Sequence, residues 1–410
     1  MDYDVVVIGG GASGMMAAGR AGERGKRVLL LEKNDRLGAK LKITGGGRCN
    51  ITNAENDKQL FLAHYGKAKP FLFSAFSQFG VNDTFSFFES RGLPLITQAH
   101  NRVFPKTERA TDVSRVLENY LKSSEVEIRT KVNVERLETS EGKINAVVVD
   151  RKRILASSFI LATGGKSHPE TGSTGDGFSW LKNMGHTVKD PTPTIVPLAV
   201  QDEWVKKLTG MSLFSVGIKF FVRGQKRISL KGDILCTHFG LSGPLILNSA
   251  KDVSGLLHEG VVTALIDMYP QEDIGSLDKR IANVFDMNKN KTLKNIWNEI
   301  APRGTGYALL PFLGDFGSDT KIHSITKEQR RKIVDLLKGS SVTITGLMGY
   351  DRAVVADGGL SLQEVDTRTM RSKKYANLYV TGDLLDVGRP SGGYSLQLCW
   401  TTGYVSGDNA

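Results

Sequence analysis

Seven residues near the N-terminus, Thr44-Gly45-Gly46-Gly47-Arg48-Cys49-Asn50, join three positions without side chains to a fixed cation, a thiol and an amide. Successive glycines let backbone N–H groups close on an anion that side chains would block. Upstream, Gly9, Gly11 and Gly14 have G-x-G-x-x-G spacing, with Ala12 and Ser13 in the same turn and Glu32 with Lys33 further on. Glycines opening a helix present orphan N–H groups and a partial positive charge to a pyrophosphate, and an acid ending the next strand accepts ribose hydroxyls. The chemistry these residues suit is binding of an adenine dinucleotide.

Such residues need a strand–turn–helix–strand frame, and the pattern supplies one. Tyr3 to Ile8 is a valine-rich run expected as a buried parallel strand, Met15 to Arg24 a helix ending near Gly25, and Arg27 to Leu31 a second strand. Asp112 to Leu121 reads as a helix, and Val126–Ile128 and Val132–Val134 as strands. Lys143–Val149 and Ile154–Leu161 read as a hairpin leading into Ala162-Thr163-Gly164-Gly165. Three prolines in Pro191 to Pro197 predict an extended connector and a domain boundary. Leu213–Val222, Arg227–Leu235 and Val261–Met268 have β character. Helical spacing runs from Leu277 to Leu337 and stops at Gly339; Ser341–Thr345 and Asn377–Val380 read as strands, and Leu396–Val405 as a helix.

Later glycine motifs choose between cofactors. Thr163-Gly164-Gly165 and Thr381-Gly382-Asp383 each follow a strand, and an NAD-only domain has no need of a glycine–acid pair so late in the chain. Gly382-Asp383 suits the ribityl and pyrophosphate region of FAD. Gly392-Gly393-Tyr394-Ser395, at a helix start, suits the pyrimidine edge of the flavin, which becomes anionic on reduction. Cys49 lacks a C-x-x-C partner, so dithiol chemistry falls; a proton donor beside the flavin and a packing residue both stay open. His238 is the candidate acid/base of the middle region, against a structural role. His168 could face the flavin or serve the fold. Cys236 and His238, with no second ligand pair, do not make a zinc site.

Taken in order, Gly9–Gly14, Thr44–Asn53, Arg102–Pro105, Cys236–Pro244, Thr369–Lys373 and Gly382–Ser395 resemble the BaiN/RdsA-type NAD(P)/FAD-dependent oxidoreductases, over nearly the whole chain. The resemblance implies an α/β fold: a discontinuous three-layer, Rossmann-like FAD-binding domain over 1–190 and 346–410. It carries a β-barrel-like insert over 191–272, closed by the strand near 341–345, and a helical part over 273–340. It also implies that Gly9, Gly11, Gly14 and Glu32 hold the adenosine diphosphate half, with Val132 beside adenine. Gly46, Gly47, Arg48, Cys49 and Asn50 would lie near the inner pyrophosphate and flavin, Thr163-Gly164 and Gly382-Asp383 would contact FAD, and Gly393 to Leu396 would reach the isoalloxazine. Two departures stand out: Ser395 where the family usually has Asn, and Asp383 for a common Glu.

The 410 residues carry 54 Lys and Arg against 43 Asp and Glu, a formal net charge of +11. That balance suits a polyanionic partner. The basic stretch Lys327 to Lys332, with Lys289, Lys291 and Lys294, is either a solvated helix face or a seat for RNA phosphates. No apolar run approaches the roughly 20 residues a membrane helix needs. The acidic start Met1-Asp2-Tyr3-Asp4 leaves no signal peptide, and three scattered cysteines suit a reducing cytoplasm. The resemblance implies three chemistries: reduction of a uridine in large-subunit ribosomal RNA to dihydrouridine, reduction of a steroid-like enone, or oxidation of a small amine such as aminoacetone. The charge favours the first, with NAD(P)H as a transient co-substrate that docks and leaves. A non-catalytic FAD-containing binding protein is the alternative from another class.

Overall fold

The computed structural model describes residues 2–314 and 316–410; Met1, part of the acidic start, and Asp315 lie outside the described residues. It falls into two compact units, Met1–Pro193 with Ala353–Ala410, and Thr194–Arg352.

The first unit is a Rossmann-like α/β layer. Strand β1 (Tyr3–Ile8), helix α1 (Ala12–Glu23) and strand β2 (Val28–Leu31) follow one another as the βαβ pattern requires. The sheet order is Leu378–Val380, Ala156–Leu161, β1, β2, Glu127–Arg129, and every pairing is parallel. Val5, Val6 and Val7 are fully buried, as expected of strands covered on both faces. The C-terminal helix Tyr394–Asn409 packs on α1 so closely that a methyl at Gly407 would sit 2.2 Å from the Ala17 carbonyl oxygen. The last residues of the chain thus brace the first helix.

Three expectations differ from the structure. The run 143–161 is not one hairpin: Lys143–Val149 pairs antiparallel with Val134–Ser140 and with Lys152–Ile154, while Ala156–Leu161 leaves to join β1. Val132 precedes the strand rather than starting it. The proline-rich connector is itself a strand, Val188–Ile195, in a two-stranded sheet with Val355–Leu360. A two-stranded sheet leaves each strand an open edge, where a missing proline N–H breaks no ladder.

The Thr369–Lys373 motif is structural. Ser372 Oγ lies 3.2 Å from His186 Nε2, and His186 Nδ1 lies 2.6 Å from Glu364 Oε2. Burial pushes the Glu364 carboxyl up, but Lys374, His186 and Thr187 outweigh it and hold the pKa at about 2.

The second unit is a closed barrel in the order Leu198–Val200, Gly240–Ser242, Gln225–Thr237, Ser212–Val222, Val262–Asp267, Ser340–Leu347. Alternate residues fill it: Ile218, Phe220, Ala264, Ile266, Val342 and Ile344 are all buried. Helices Ile274–Met287, Leu293–Ile300 and Lys327–Lys338 supply apolar faces to the same core. Asp273 caps the first of them by accepting from Ser276 N–H at 2.7 Å, and Thr326 with Gln329 forms a capping box on the last. Among the described residues, no helix is long and apolar enough to cross a membrane.

Candidate active site

Helix α1 starts at Gly11 with no side-chain cap and no acid in its first turn. Its first N–H groups are therefore free to serve an external anion. The glycines of the fingerprint divide the work. A Cβ on Gly14 would lie 1.8 Å from the Gly9 carbonyl oxygen, so that glycine lets helix and strand touch; a Cβ on Gly11 would meet nothing within 4 Å. Gly11 thus opens on space, where a ligand can come close to the backbone.

Glu32 ends β2 with 7% exposure, accepting from Gly10 N–H at 2.7 Å on one oxygen and from Asn34 N–H at 2.8 Å on the other. Fixed in this way, each oxygen keeps a second lone pair for a hydroxyl. Val132 N–H donates to the Glu32 carbonyl at 3.0 Å, which places Val132 on the same rim. Lys33 turns aside to Asp176 at 2.8 Å. Ser13 lies beside Gly382, where a Cβ would stand 2.9 Å from Ser13 Oγ, and Gly165 stands against Asp383.

The Thr44–Gly47 turn places Gly45 and Gly46 in the left-handed region, with Gly46 and Gly47 open to solvent. The following segment is tied to the C-terminal helix. Thr52 Oγ1 donates to Gln397 Oε1 at 2.6 Å, Trp400 Nε1 donates to the Ile51 carbonyl at 3.0 Å, and Asn53 Nδ2 donates to the Gly392 carbonyl at 3.3 Å. Gly393 allows this approach, since a Cβ there would lie 2.3 Å from the Thr52 carbonyl. Tyr394 offers its carbonyl to Tyr65 Oη at 2.8 Å, and Leu396 is 9% exposed. Both ends of the chain thus meet in this unit. Asn50 Oδ1 and Thr163 Oγ1 are buried without a partner among the described residues. A buried polar atom without a partner calls for one, and a bound group at this glycine-rich face supplies it.

Three of the candidate side chains are engaged by the protein itself. Arg48 stacks on Phe104, 4.4 Å from the ring centre, and pairs with Glu108 at 3.3 Å. Cys49 has no exposure and belongs to a hydrophobic core with Ile51, Phe79 and Trp400. Burial pushes its thiol up to about 12 against a weaker opposing pull from Thr44. His168 Nδ1 lies 2.8 Å from Glu170 Oε1. In the second unit, His238 is exposed on the turn before Gly240, its ring against Phe239, and Cys236 is buried in the barrel with its thiol up at about 11.

Arg389 escapes sequence reading. Its side chain is 1% exposed, and it bonds Asp383, the Val387 carbonyl at 2.7 Å and Ser395 Oγ at 3.1 Å. Its one sequence cue is a lone cation in Gly388-Arg389-Pro390, just ahead of the Gly392-Gly393 turn.

Comparison with known proteins follows the same lines. A model of the HI0933-like protein Rossmann domain matches residues 3–409. The chain is 31% identical to a 3-dehydro-bile acid delta(4,6)-reductase of Clostridium scindens, over 98% of this chain and 97% of that one. It is 27% identical to a ribosomal RNA dihydrouridine synthase of Haemophilus influenzae, over 98% and 96%. Among solved structures, a 3-ketosteroid-delta4-(5alpha)-dehydrogenase of Rhodococcus jostii RHA1 aligns with a TM-score of 0.57 at 14% identity, covering 99% of this chain and 96% of that one. The chain belongs to the HI0933-like Rossmann-domain family, a flavin-dependent oxidoreductase family, and has its FAD-binding Rossmann-like fold.

Proposed function

We propose that the first unit holds FAD and that the protein uses NAD(P)H to reduce a C=C bond conjugated to a carbonyl, with a uridine of large-subunit ribosomal RNA as the favoured substrate. The observation that carries the cofactor reading is the uncapped α1 terminus beside open space at Gly11, with orphaned Asn50 Oδ1 and Thr163 Oγ1 in the same unit. When bound, FAD supplies hydride transfer. The α1 N–H groups of Ala12, Ser13 and Gly14 bind the pyrophosphate, and Glu32 takes the ribose hydroxyls beside Val132. Gly46, Gly47 and Asn50 line the inner half with Thr163 and Gly164, Asp383 meets the ribityl and pyrophosphate region, and Gly393 to Leu396 orient the ring system. Cys49 acts as packing, because a neutral thiol sealed in a core reaches no substrate.

The substrate reading rests on chemistry and charge. A uracil ring and a conjugated steroid ketone both present an electron-poor C=C next to a carbonyl, so one hydride-transfer geometry serves the reactions that the names of both relatives describe. The seat of the positive charge shifts from the stretch first considered. Arg330 is paired with Asp278, Arg331 with Asp335 and Lys294 with Asp319. The barrel hairpin instead carries Lys219, Lys226 and Lys231 exposed, without an ion pair among the described residues. Lys219 and Lys231 stand on one face, their cross-strand partners being Ser229 and Gly217. Such a face binds phosphates in a salt-dependent way.

Loss of dihydrouridine from large-subunit ribosomal RNA on deleting the gene, restored by the wild-type chain, supports this reading; unchanged dihydrouridine rejects it. The second reading, a steroid-like enone reductase, is favoured by the 31% identity to the bile acid enzyme. NAD(P)H consumption with a conjugated 3-oxo-steroid but not with RNA selects it.

A further inference from the structure

Two cations face one carboxylate inside the first unit. Arg389 is held at three points, on Asp383, on Ser395 and on the Val387 carbonyl. Asp383 and Ser395 lie on either side of the Gly392-Gly393 turn in the sequence, and the guanidinium bridges them into one unit.

Lys40 is the second cation. It sits on the short helix Ala39–Ile43, directly ahead of the Thr44 glycine turn, and its Nζ donates to Ser167 Oγ at 3.1 Å. Among the described residues it has no ion pair. Its charged neighbours are Asp383, Arg389 and Glu170; burial pushes the ammonium down, and Asp383 pulls it back up. Asp383 is already engaged by Arg389, and Glu170 is largely exposed and taken by His168. Cys399 adds no charge, since burial pushes its thiol up to about 12. One positive charge is left without a matching anion in a partly buried place, an arrangement that costs stability unless a ligand supplies the counter-charge.

We propose that Lys40 and Arg389 act together as the anion-stabilising pair for reduced FAD: Arg389 fixes and neutralises Asp383, and Lys40 balances the charge on the flavin's pyrimidine edge. The proposal rests on the FAD reading above. A hydride from reduced nicotinamide brings two electrons and one proton to the flavin N5. The nicotinamide is oxidised, and one negative charge is left on the N1–C2 carbonyl edge. Passing the hydride to the substrate C=C returns the flavin to its neutral oxidised form and moves the charge to the substrate as an enolate, which takes a proton from solvent at the neighbouring carbon. A cation near that edge therefore favours the reduced cofactor over the oxidised one.

The test is the midpoint potential of bound FAD, with its affinity in both redox states, in the wild-type chain and the variants Lys40→Met, Lys40→Arg, Arg389→Met and Arg389→Met/Asp383→Asn. We expect Lys40→Met to bind oxidised FAD nearly as the wild type does and to bind reduced FAD about tenfold more weakly. For a two-electron couple that is a fall of about 30 mV. Lys40→Arg keeps the charge and the potential. Arg389→Met frees the Asp383 carboxylate and lowers the potential further, while the double variant removes both charges and restores it towards wild type. Lys40→Met with FAD bound at an unchanged potential overturns the proposal. Equal weakening of both redox states also overturns it and assigns Lys40 to the diphosphate. A wild-type chain that takes up no FAD refutes the underlying cofactor reading instead, so the two failures are distinct.

Discussion

Gly14 in the Rossmann unit and Gly240 in the barrel unit look alike at first. A Cβ on either would strike backbone, the Gly9 carbonyl oxygen at 1.8 Å in one case and the Leu198 carbonyl oxygen at 2.3 Å in the other. Their surroundings differ. Three residues before Gly14 stands Gly11, open on space at an uncapped helix end. Gly240 has only protein about it: Val200 presses on the same position, and Thr237 Oγ1 accepts its N–H at 3.1 Å to close the hairpin. A tight glycine alone marks packing. A tight glycine next to an open one, with unpaired donors between them, marks a cradle.

The largest effect should come from erasing that difference. Gly14→Val drives a branched side chain into the Gly9 carbonyl and should leave no measurable FAD binding, with a loss of stability of about 3 kcal/mol or more. Retained FAD on a native-like Gly14→Val protein would break the comparison. Gly11→Ala sharpens it. At φ −80 with nothing nearby, the methyl costs the fold little, so melting should stay within a degree or two while FAD binds about a hundredfold more weakly. Titration by flavin fluorescence beside thermal unfolding reads both quantities.

In the barrel unit the expected effects are smaller and concern a partner rather than a cofactor. Lys219→Glu/Lys231→Glu should weaken ribosomal RNA binding about tenfold and flatten its salt dependence, with FAD content unchanged. A filter-binding series over salt concentration gives the slope, and an unaltered slope would remove the hairpin from the RNA surface. The smallest effect belongs to Cys49→Ala. Loss of the buried sulfur should cost about 1 kcal/mol, seen as a modest fall in melting temperature, while kcat stays at the wild-type value. A large fall in kcat with FAD still bound would restore the thiol as a proton donor.

Local rules were readable where they were self-contained. The turn from β1 into α1, Glu32 at the end of β2 and the helix stop at Gly339 each depend on a few neighbouring residues, and their spacing carries them. Sheet membership does not work that way. Residues 143 to 161 form a nearly continuous apolar and basic run, and what divides it is the arrival of β1 beside Ala156–Leu161, a partner about 150 positions upstream. The strand at Val188–Ile195 was hidden by prolines that an edge tolerates. Cys49 reads as chemistry because a thiol follows three glycines; its burial against Ile51 and Trp400 shows only in the folded chain. Arg389 was invisible for the opposite reason, since its meaning lies in Asp383 and Ser395, which meet only once the loop has folded around it.

The central claim is that a flavin held in the first unit passes hydride from nicotinamide to a conjugated C=C. Anaerobic mixing of the FAD-loaded protein with NADPH or NADH, followed by candidate acceptors, tests it most directly. The flavin colour should bleach with one of the nicotinamides and return on adding unmodified ribosomal RNA, with dihydrouridine formed in equal amount. Flavin that stays oxidised with both nicotinamides, yet bleaches with aminoacetone and recovers with oxygen, would contradict the claim.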